Sequence, residues 1–276
     1  MPALVSQVIA EVEERIQSAS SVSLCLDFDG TLVPIVANPA EPRLDAEVLE
    51  TLKLLASREF LTTSMISGRA IEDLYGRIRL ENLIYAGNHG LEIFGRDLRF
   101  VEPLAWSRRG QIKMLCEELA GQLRAVRGVL AEYKGLTASV HYRLAADADV
   151  AEIQATVYAA VARQGGLFRV NPGGRVLDIV PRTDWHKGAA VRWINSHLAE
   201  TPRLSIYLGD DTSDEDAFSV LGDAITIKVG LAGPTCARYR LPDPAAVHEF
   251  LLWLATQQRG CAGSGPGMGR GCEERD

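Results

Sequence analysis

Short apolar runs recur along the chain at Val22–Leu26, Leu61–Ile66, Leu83–Ala86, Leu204–Leu208 and Ile225–Val229. Their length and their content of Val, Ile and Leu predict strands buried on both faces. Between them the apolar positions fall three and four residues apart. Leu44 to Leu55 follows this spacing, and Gly188 to Leu198 repeats it with Val191, Ile194 and Leu198. Strands that alternate with amphipathic helices predict an α/β fold, a Rossmann-like parallel sheet covered on both faces. Met1 to Ser18 carries Glu11, Glu13 and Glu14 among apolar residues at helical spacing, which predicts an amphipathic helix and not a signal peptide. Asp243 as N-cap and Pro244 at the first helical position open a last helix through Phe250, Leu251 and Leu254.

The middle of the chain has a different rhythm. A helix is expected from Trp106 to about Ala125, then a hairpin of Val129–Lys134 and Thr137–Arg143 turning at Gly135-Leu136. A second helix, Ala148 to Arg163, leads to a second hairpin, Leu167–Val170 and Arg175–Val180, turning at Asn171-Pro172-Gly173-Gly174. This is an α+β unit with an antiparallel sheet. It predicts an inserted domain over 104–182 within a discontinuous core of 1–103 and 183–258. The first hairpin alternates: Thr137, Ser139, His141 and Arg143 share one face, and Ala138, Val140 and Tyr142 the other. Glu132 and Lys134 also share a face. Helices on the apolar side would leave the polar side free, a surface suited to a polyhydroxylated ligand. Residues 259–276 are Gly-rich with little apolar content and are expected to be disordered.

Candidate chemistry gathers at the ends of the expected parallel strands, where open α/β sheets bind ligands. The first strand runs into Asp27-Phe28-Asp29-Gly30-Thr31. Two carboxylates this close repel each other unless a cation or a function holds them. An EF-hand loop counted from Asp27 would need Gly and Glu where the chain has Leu32 and Asn38. The second strand ends in Ser67-Gly68-Arg69, whose hydroxyl and N–H groups suit phosphoryl oxygens. Lys187 opens the helix that ends near Leu198, a position the helix dipole disfavours for a cation unless both face an anion. Leu208-Gly209 leads into the acidic turn Asp210-Asp211-Thr212-Ser213-Asp214-Glu215-Asp216, part of which caps the next helix, with Ser213 and Asp216 in capping-box spacing. Separately these are ordinary caps and surface charges. Together they supply a nucleophile, an acid, a hydroxyl, a lysine and metal carboxylates, which predicts Mg²⁺-dependent phosphoryl transfer.

Composition narrows the partners. The chain has 276 residues, 24% of them charged, with a formal net charge of −7 and no basic block, which argues against nucleic acid and anionic membranes. No apolar run approaches transmembrane length. Five cysteines, an odd number without metal-ligand spacing, fit reduced thiols in the cytoplasm. A small-molecule ligand is the expected partner, with a monomer favoured over an oligomer.

The string Asp27-x-Asp29-Gly30-Thr31 resembles the first motif of the haloacid dehalogenase superfamily. That resemblance implies Asp27 as nucleophile forming an aspartyl-phosphate and Asp29 as acid and then base. It also implies Ser67 and Lys187 at the phosphoryl oxygens. Mg²⁺ would lie on the Asp27 carboxylate, the Asp29 carbonyl and Asp210, with Asp211 or Asp214 behind. Four stretches resemble trehalose-6-phosphate phosphatases: Ile66-Ser67-Gly68-Arg69, Tyr85-Ala86-Gly87-Asn88-His89-Gly90-Leu91-Glu92, Glu132 through Arg143, and Tyr207-Leu208-Gly209-Asp210-Asp211 through Asp214-Glu215-Asp216-Ala217-Phe218. This second resemblance implies a type C2 cap and hydrolysis of trehalose 6-phosphate. It places Gly68, Arg69, Asn88, His89, Glu132, Lys134, Ser139, His141, Arg143 and Asp178 around the substrate. Two positions depart from the family: Asp178 stands where Glu is usual, and His186 where Asp is usual before the motif lysine. Sucrose phosphate, mannosyl-phosphoglycerate and other sugar phosphates stay open as substrates. A signalling receiver would also join acid, hydroxyl and lysine, but it keeps its acid pair on an earlier strand and has no such insertion.

Overall fold

The structure, a computed structural model, describes residues 2–36, 41–198 and 204–257. The expected disordered tail, 259–276, lies outside the described residues. The chain opens with α1 (Pro2–Ser18), β1 (Val22–Leu26), α2 (Ala46–Ala56), β2 (Leu61–Ile66), α3 (Ile71–Ile78), β3 (Ile84–Gly87), β4 (Glu92–Gly95) and β5 (Leu98–Val101). It continues with α4 (Pro103–Ser107), α5 (Arg109–Gln122), β6 (Leu130–Tyr133), β7 (Ala138–His141), α6 (Val150–Ala162), β8 (Phe168–Gly173) and β9 (Val176–Pro181). The last part holds α7 (Lys187–His197), β10 (Leu204–Gly209), α8 (Thr212–Val220), β11 (Ile225–Val229), β12 (Tyr239–Leu241) and α9 (Pro244–Thr256).

Eight strands form one sheet in the order β12-β11-β10-β1-β2-β3-β4-β5. The pairings are parallel from β12 to β3, and β4 and β5 add an antiparallel edge. Every residue of β1 is buried, as its unbroken apolar run requires. Leu24 and Leu26 join a core with α1, α2 and α9, while Cys25 points to the opposite core with Ala190, Val191 and Ile194 of α7 and Phe218 of α8. The chain leaves β1 toward β2 on one side and returns to it through β10 on the other. The carboxyl end of β1 is therefore the point where strand order reverses, the place such sheets bind ligands.

Residues 130–181 build a second sheet, all antiparallel, in the order β6-β7-β9-β8. Ala138, Val140, Leu177 and Ile179 pack beneath Ile112, Leu115 and Leu119 of α5 and Ile153 and Val157 of α6. The register sets Glu132, Ser139, Asp178 and Asn171 side by side across the four strands, a polar row on the opposite face.

Several expectations need correction. The polar face is not free: Thr137 and Ser139 are buried, because the hairpin turn rests on the larger sheet. Thr137 Oγ1 donates to Asn88 Oδ1 at 2.5 Å, Asn88 Nδ2 to Lys134 O at 2.8 Å, and Lys134 Nζ to Gly68 O at 3.1 Å. The second hairpin turns at Gly174-Arg175, so Asn171 and Pro172 lie within β8. Proline is tolerated there because β8 is an edge strand. The expected helix from Trp106 breaks at Arg108 into α4 and α5. The N-cap of α8 is Asp211, not Ser213, and Asp211 N donates to Asp214 Oδ2 at 2.9 Å. The β4–β5 turn at Arg96 and Asp97 has positive φ at both residues without the Asn-Gly signal such turns usually show.

Candidate active site

Gly30, at φ 81, turns the chain sharply after β1 and lets Asp210 approach it, since a Cβ there would lie 2.0 Å from Asp210 Oδ2. Asp27 caps the strand end and is buried. Lys187, buried at the start of α7, donates to Asp27 Oδ1 at 2.9 Å and to Asp214 Oδ1 at 2.8 Å. Tyr207 of β10 also donates to Asp214 Oδ1, at 2.7 Å. With Asp211 N on its other oxygen, Asp214 holds donors at both ends of its carboxylate. Burial works against the Lys187 ammonium, but Asp214 and Asp27 overcome it and raise its pKa. Burial also pushes the Asp27 carboxyl up, opposed by Lys187 and reinforced by Asp214 and Asp210. The Asp210 carboxyl is pushed up to about 7, first by burial and then by Asp214.

Oxygens of Asp27, Asp210 and Asp214 lie within 4.8 Å of one another. Three acids crowd one ammonium, and burial together with that crowding raises the carboxyl pKa at Asp27 and Asp210. A hard divalent cation with oxygen ligands fits that donor set. Asp29 and Asp211 are outside this carboxylate group. Asp29 turns to Arg69, whose Nε and Nη2 each donate to one of its oxygens at 2.6 Å. Arg69 also reaches Asp73 at 2.7 Å and lies 5.4 Å over the Phe28 ring. Ser67 is buried at the end of β2, with its Oγ accepting from Arg69 N at 3.3 Å.

A cavity of about 170 Å³ connects these groups with the second sheet. Asp27, Asp29, Ser67, Gly68, Arg69, Lys187, Asp210 and Asp211 line its floor. Glu132, Lys134, His141, Arg143 and Asp178 line the other side, with His89 between the two. Each acid of the second sheet has its own base. Glu132 meets His141 Nε2 at 2.8 Å, and Asp178 lies 3.6 Å from Lys134 Nζ and 3.7 Å from His89 Nε2. Burial raises both carboxyl pKa values. His141 and Lys134 outweigh it at Glu132, and Lys134 and His89 at Asp178, so both end lowered.

Asn88 and Ser139, expected at the ligand, stand behind the lining and hold residues that form it, while Asp214, expected behind the metal, lies with Asp27 and Asp210. Ser139 donates to Asp178 Oδ1, and Asn88 bonds Glu92, Lys134 and Thr137. Arg143 donates to Val36 O and Gly174 O, tying the second sheet to the segment after β1. His186 caps α7, its Nδ1 accepting from Ala189 N at 3.4 Å. Two contributions escaped the sequence reading. Tyr207 sits in an apolar strand and looks like core, and Ile35, Val36 and Pro42 line the cavity mouth from an irregular segment. Only the nearness of that segment to Asp29 could have flagged it.

The trehalose-phosphatase family model matches residues 25–244. The chain belongs to the trehalose-phosphatase family. Within that family, it is 37% identical over 250 residues to the trehalose-phosphate phosphatase of Mycobacterium tuberculosis (strain ATCC 25618 / H37Rv). That match covers 87% of this chain and 63% of the relative, so the chain spans less than two thirds of the relative's length. Among solved structures it resembles a trehalose-6-phosphate phosphatase related protein, with a TM-score of 0.75 and 25% identity, covering 84% of this chain and 96% of that one. It shares its fold with the C-terminal domain of C. albicans trehalose-6-phosphate phosphatase, with a TM-score of 0.76 and 22% identity, over 91% and 96% of the two chains.

Proposed function

We propose that the protein is a Mg²⁺-dependent phosphatase that hydrolyses trehalose 6-phosphate to trehalose and inorganic phosphate. The observation that carries this reading is one cavity with two chemistries. Asp27 and Lys187 lie at its floor, and the paired charges of Glu132, Lys134 and Asp178 face them from the second sheet. Residues 104–182 act as a cap on a core made of 1–103 and 183–258, and the cap selects the sugar.

In this reading Asp27 attacks phosphorus and forms an aspartyl-phosphate as the ester P–O bond breaks. Asp29 gives its proton to the leaving sugar oxygen, then takes a proton from the water that hydrolyses the intermediate. The Arg69 fork orients Asp29, and proton delivery needs one of its oxygens released from that fork. Ser67 and Lys187 hold phosphoryl oxygens as charge develops on them. Asp27, the Asp29 carbonyl and Asp210 would hold Mg²⁺, with Asp211 and Asp214 supporting them. Bound there, the ion would neutralise clustered acids and polarise the phosphoryl group. No described helix is long and apolar enough to cross a membrane, and the described cysteines Cys25, Cys116 and Cys236 are unbridged, which supports a cytoplasmic enzyme acting on a soluble sugar phosphate.

Phosphate release over a panel of sugar phosphates tests the reading. Trehalose 6-phosphate should be turned over fastest, and faster turnover of sucrose phosphate or mannosyl-phosphoglycerate would overturn the substrate assignment. Asp27→Asn should abolish Mg²⁺-dependent turnover while the protein still melts cooperatively. Substantial residual activity would remove Asp27 from its role.

A further inference from the structure

Arg69 is shared between two carboxylates. Its Nε and Nη2 each donate to an oxygen of Asp29 at 2.6 Å, and its Nη1 donates to Asp73 Oδ2 at 2.7 Å. A guanidinium holds its donors in one fixed plane, so the two acids are met by different N–H groups of a single rigid fork. The Arg69 side chain is 11% exposed, and the buried Phe28 ring supports it from one side, 5.4 Å away.

Asp73 has its own anchorage. It stands in the first turn of α3, where the helix dipole favours an acid. Arg77, one turn later, donates from Nε to Asp73 Oδ1 at 3.0 Å and to Oδ2 at 2.9 Å. Arg77 is tied in turn through Nη1 to Pro42 O, in the segment that lines the cavity mouth. Burial works against the Asp73 carboxylate, but Arg77 and Arg69 outweigh it and hold its pKa below the ordinary value, so the charge persists near neutrality. The Arg77 contact alone would be an ordinary pair along one helix. Arg69 comes from outside that helix, and it carries the link to Asp29.

We propose that Asp73 is a positioning residue that keeps Arg69 in place while one oxygen of Asp29 leaves it, a role that rests on the phosphatase reading above and deepens it. In the resting fork both Asp29 oxygens are taken, each by a charge-assisted hydrogen bond. Freeing one of them is less costly when the guanidinium keeps a second ionised partner, because its charge stays compensated. The freed oxygen carries the proton that passes to the sugar oxygen, while Asp27 forms its bond to phosphorus and the ester P–O bond breaks. Without the Asp73 charge, Arg69 is drawn more strongly to Asp29 and the proton is delivered less readily.

The experiment measures kcat/KM of the purified chain with Mg²⁺ on trehalose 6-phosphate and on a series of phenyl phosphates, from p-nitrophenyl to p-methoxyphenyl, graded in the basicity of the leaving oxygen. A sugar alkoxide needs a proton to leave, and p-nitrophenolate does not. Asp73→Asn keeps the shape and removes the charge. It should lower the ratio of trehalose 6-phosphate to p-nitrophenyl phosphate activity by about 10- to 100-fold and steepen the dependence on leaving-group basicity across the phenyl series. Asp73→Ala should do the same, and Asp73→Glu, which restores the charge, should recover much of the ratio. Trehalose, added as an inhibitor of p-nitrophenyl phosphate hydrolysis, should keep its inhibition constant in Asp73→Asn, which separates proton delivery from sugar binding. Loss of all substrates by one common factor, the mark of a merely structural role, overturns the assignment. So does an unchanged ratio, or a trehalose inhibition constant that rises in step with the loss. Failure of the parent reading looks different. Either Asp29→Asn leaves the leaving-group dependence unchanged, or the unmodified protein prefers another sugar phosphate, on which the Asp73 variants are then compared by the same ratio.

Discussion

Lys187→Met isolates the electrostatic centre of the site. The side chain is 3% exposed and its two partners, Asp27 and Asp214, are 6% and 0% exposed. Methionine fills the lysine stem with little change in volume, so the cavity contribution is small. What is lost is the ammonium at 2.9 Å from one buried carboxylate and 2.8 Å from the other. Breaking a buried pair on one side costs about 3–5 kcal/mol, because the remaining charge has no water and no partner. The loss should be largest at pH 8 with metal removed by a chelator. It should shrink toward pH 5, where Asp27, whose carboxyl burial holds well above its ordinary value, takes up a proton and relieves the repulsion. The lysine itself, with its raised pKa, contributes fully at both pH values and would lose its contribution only above its ordinary pKa. Urea melts of both proteins at both pH values measure this directly. A difference below about 1 kcal/mol at pH 8, or one that does not depend on pH, would refute the view that Lys187 compensates the two acids.

Three further outcomes follow from the same contacts. The folded His89 pKa of about 4 lies below the unfolded value near 6.5, so its contribution is complete above pH 6.5 and is lost as pH falls toward 4. The full loss is about 3 kcal/mol, visible in urea melts, and His89→Phe should remove that part of the pH dependence. Tyr207→Phe takes one donor from buried Asp214 and should cost about 1.5–3 kcal/mol of stability along with a fall in kcat; a melt unchanged within experimental error would detach Tyr207 from the site. Thr137→Val removes the 2.5 Å bond to Asn88 at nearly constant shape, and amide exchange in the Lys134–Thr137 turn should quicken if that bond holds the two sheets together.

The parallel core was legible because its strands are buried on both faces and end in concentrated chemistry. Val22–Leu26 followed by Asp27 and Asp29 announces itself in any register. The antiparallel edge was not legible. Glu92–Gly95 and Leu98–Val101 are short, half-exposed, and joined by an Arg96-Asp97 turn without the usual residue types. The second hairpin misled because Pro172 and Gly173 look like a turn, whereas the edge position of β8 lets them remain in the strand. At the site, residue types revealed which groups assemble but not which of them touch. That Arg69 takes Asp29, that Asn88 and Ser139 stand behind the lining, and that Tyr207 belongs to the charge cluster all depend on distances across more than 30 residues or on a burial that alternation alone does not convey.

The hairpin turn at Lys134–Thr137 is fastened to the large sheet by the same groups that face the cavity. Any separation of the two sheets breaks the bonds from Thr137 to Asn88, from Asn88 to Lys134 and from Lys134 to Gly68 together. A ligand that claims the Lys134 ammonium therefore takes it from Gly68 and weakens the fastening as it binds. Entry becomes an exchange of partners, and measured affinity would report the difference between two sets of contacts. Replacing Lys134 should then loosen the empty protein as well as weaken its hold on a sugar, and the two effects would partly cancel in the rate of opening.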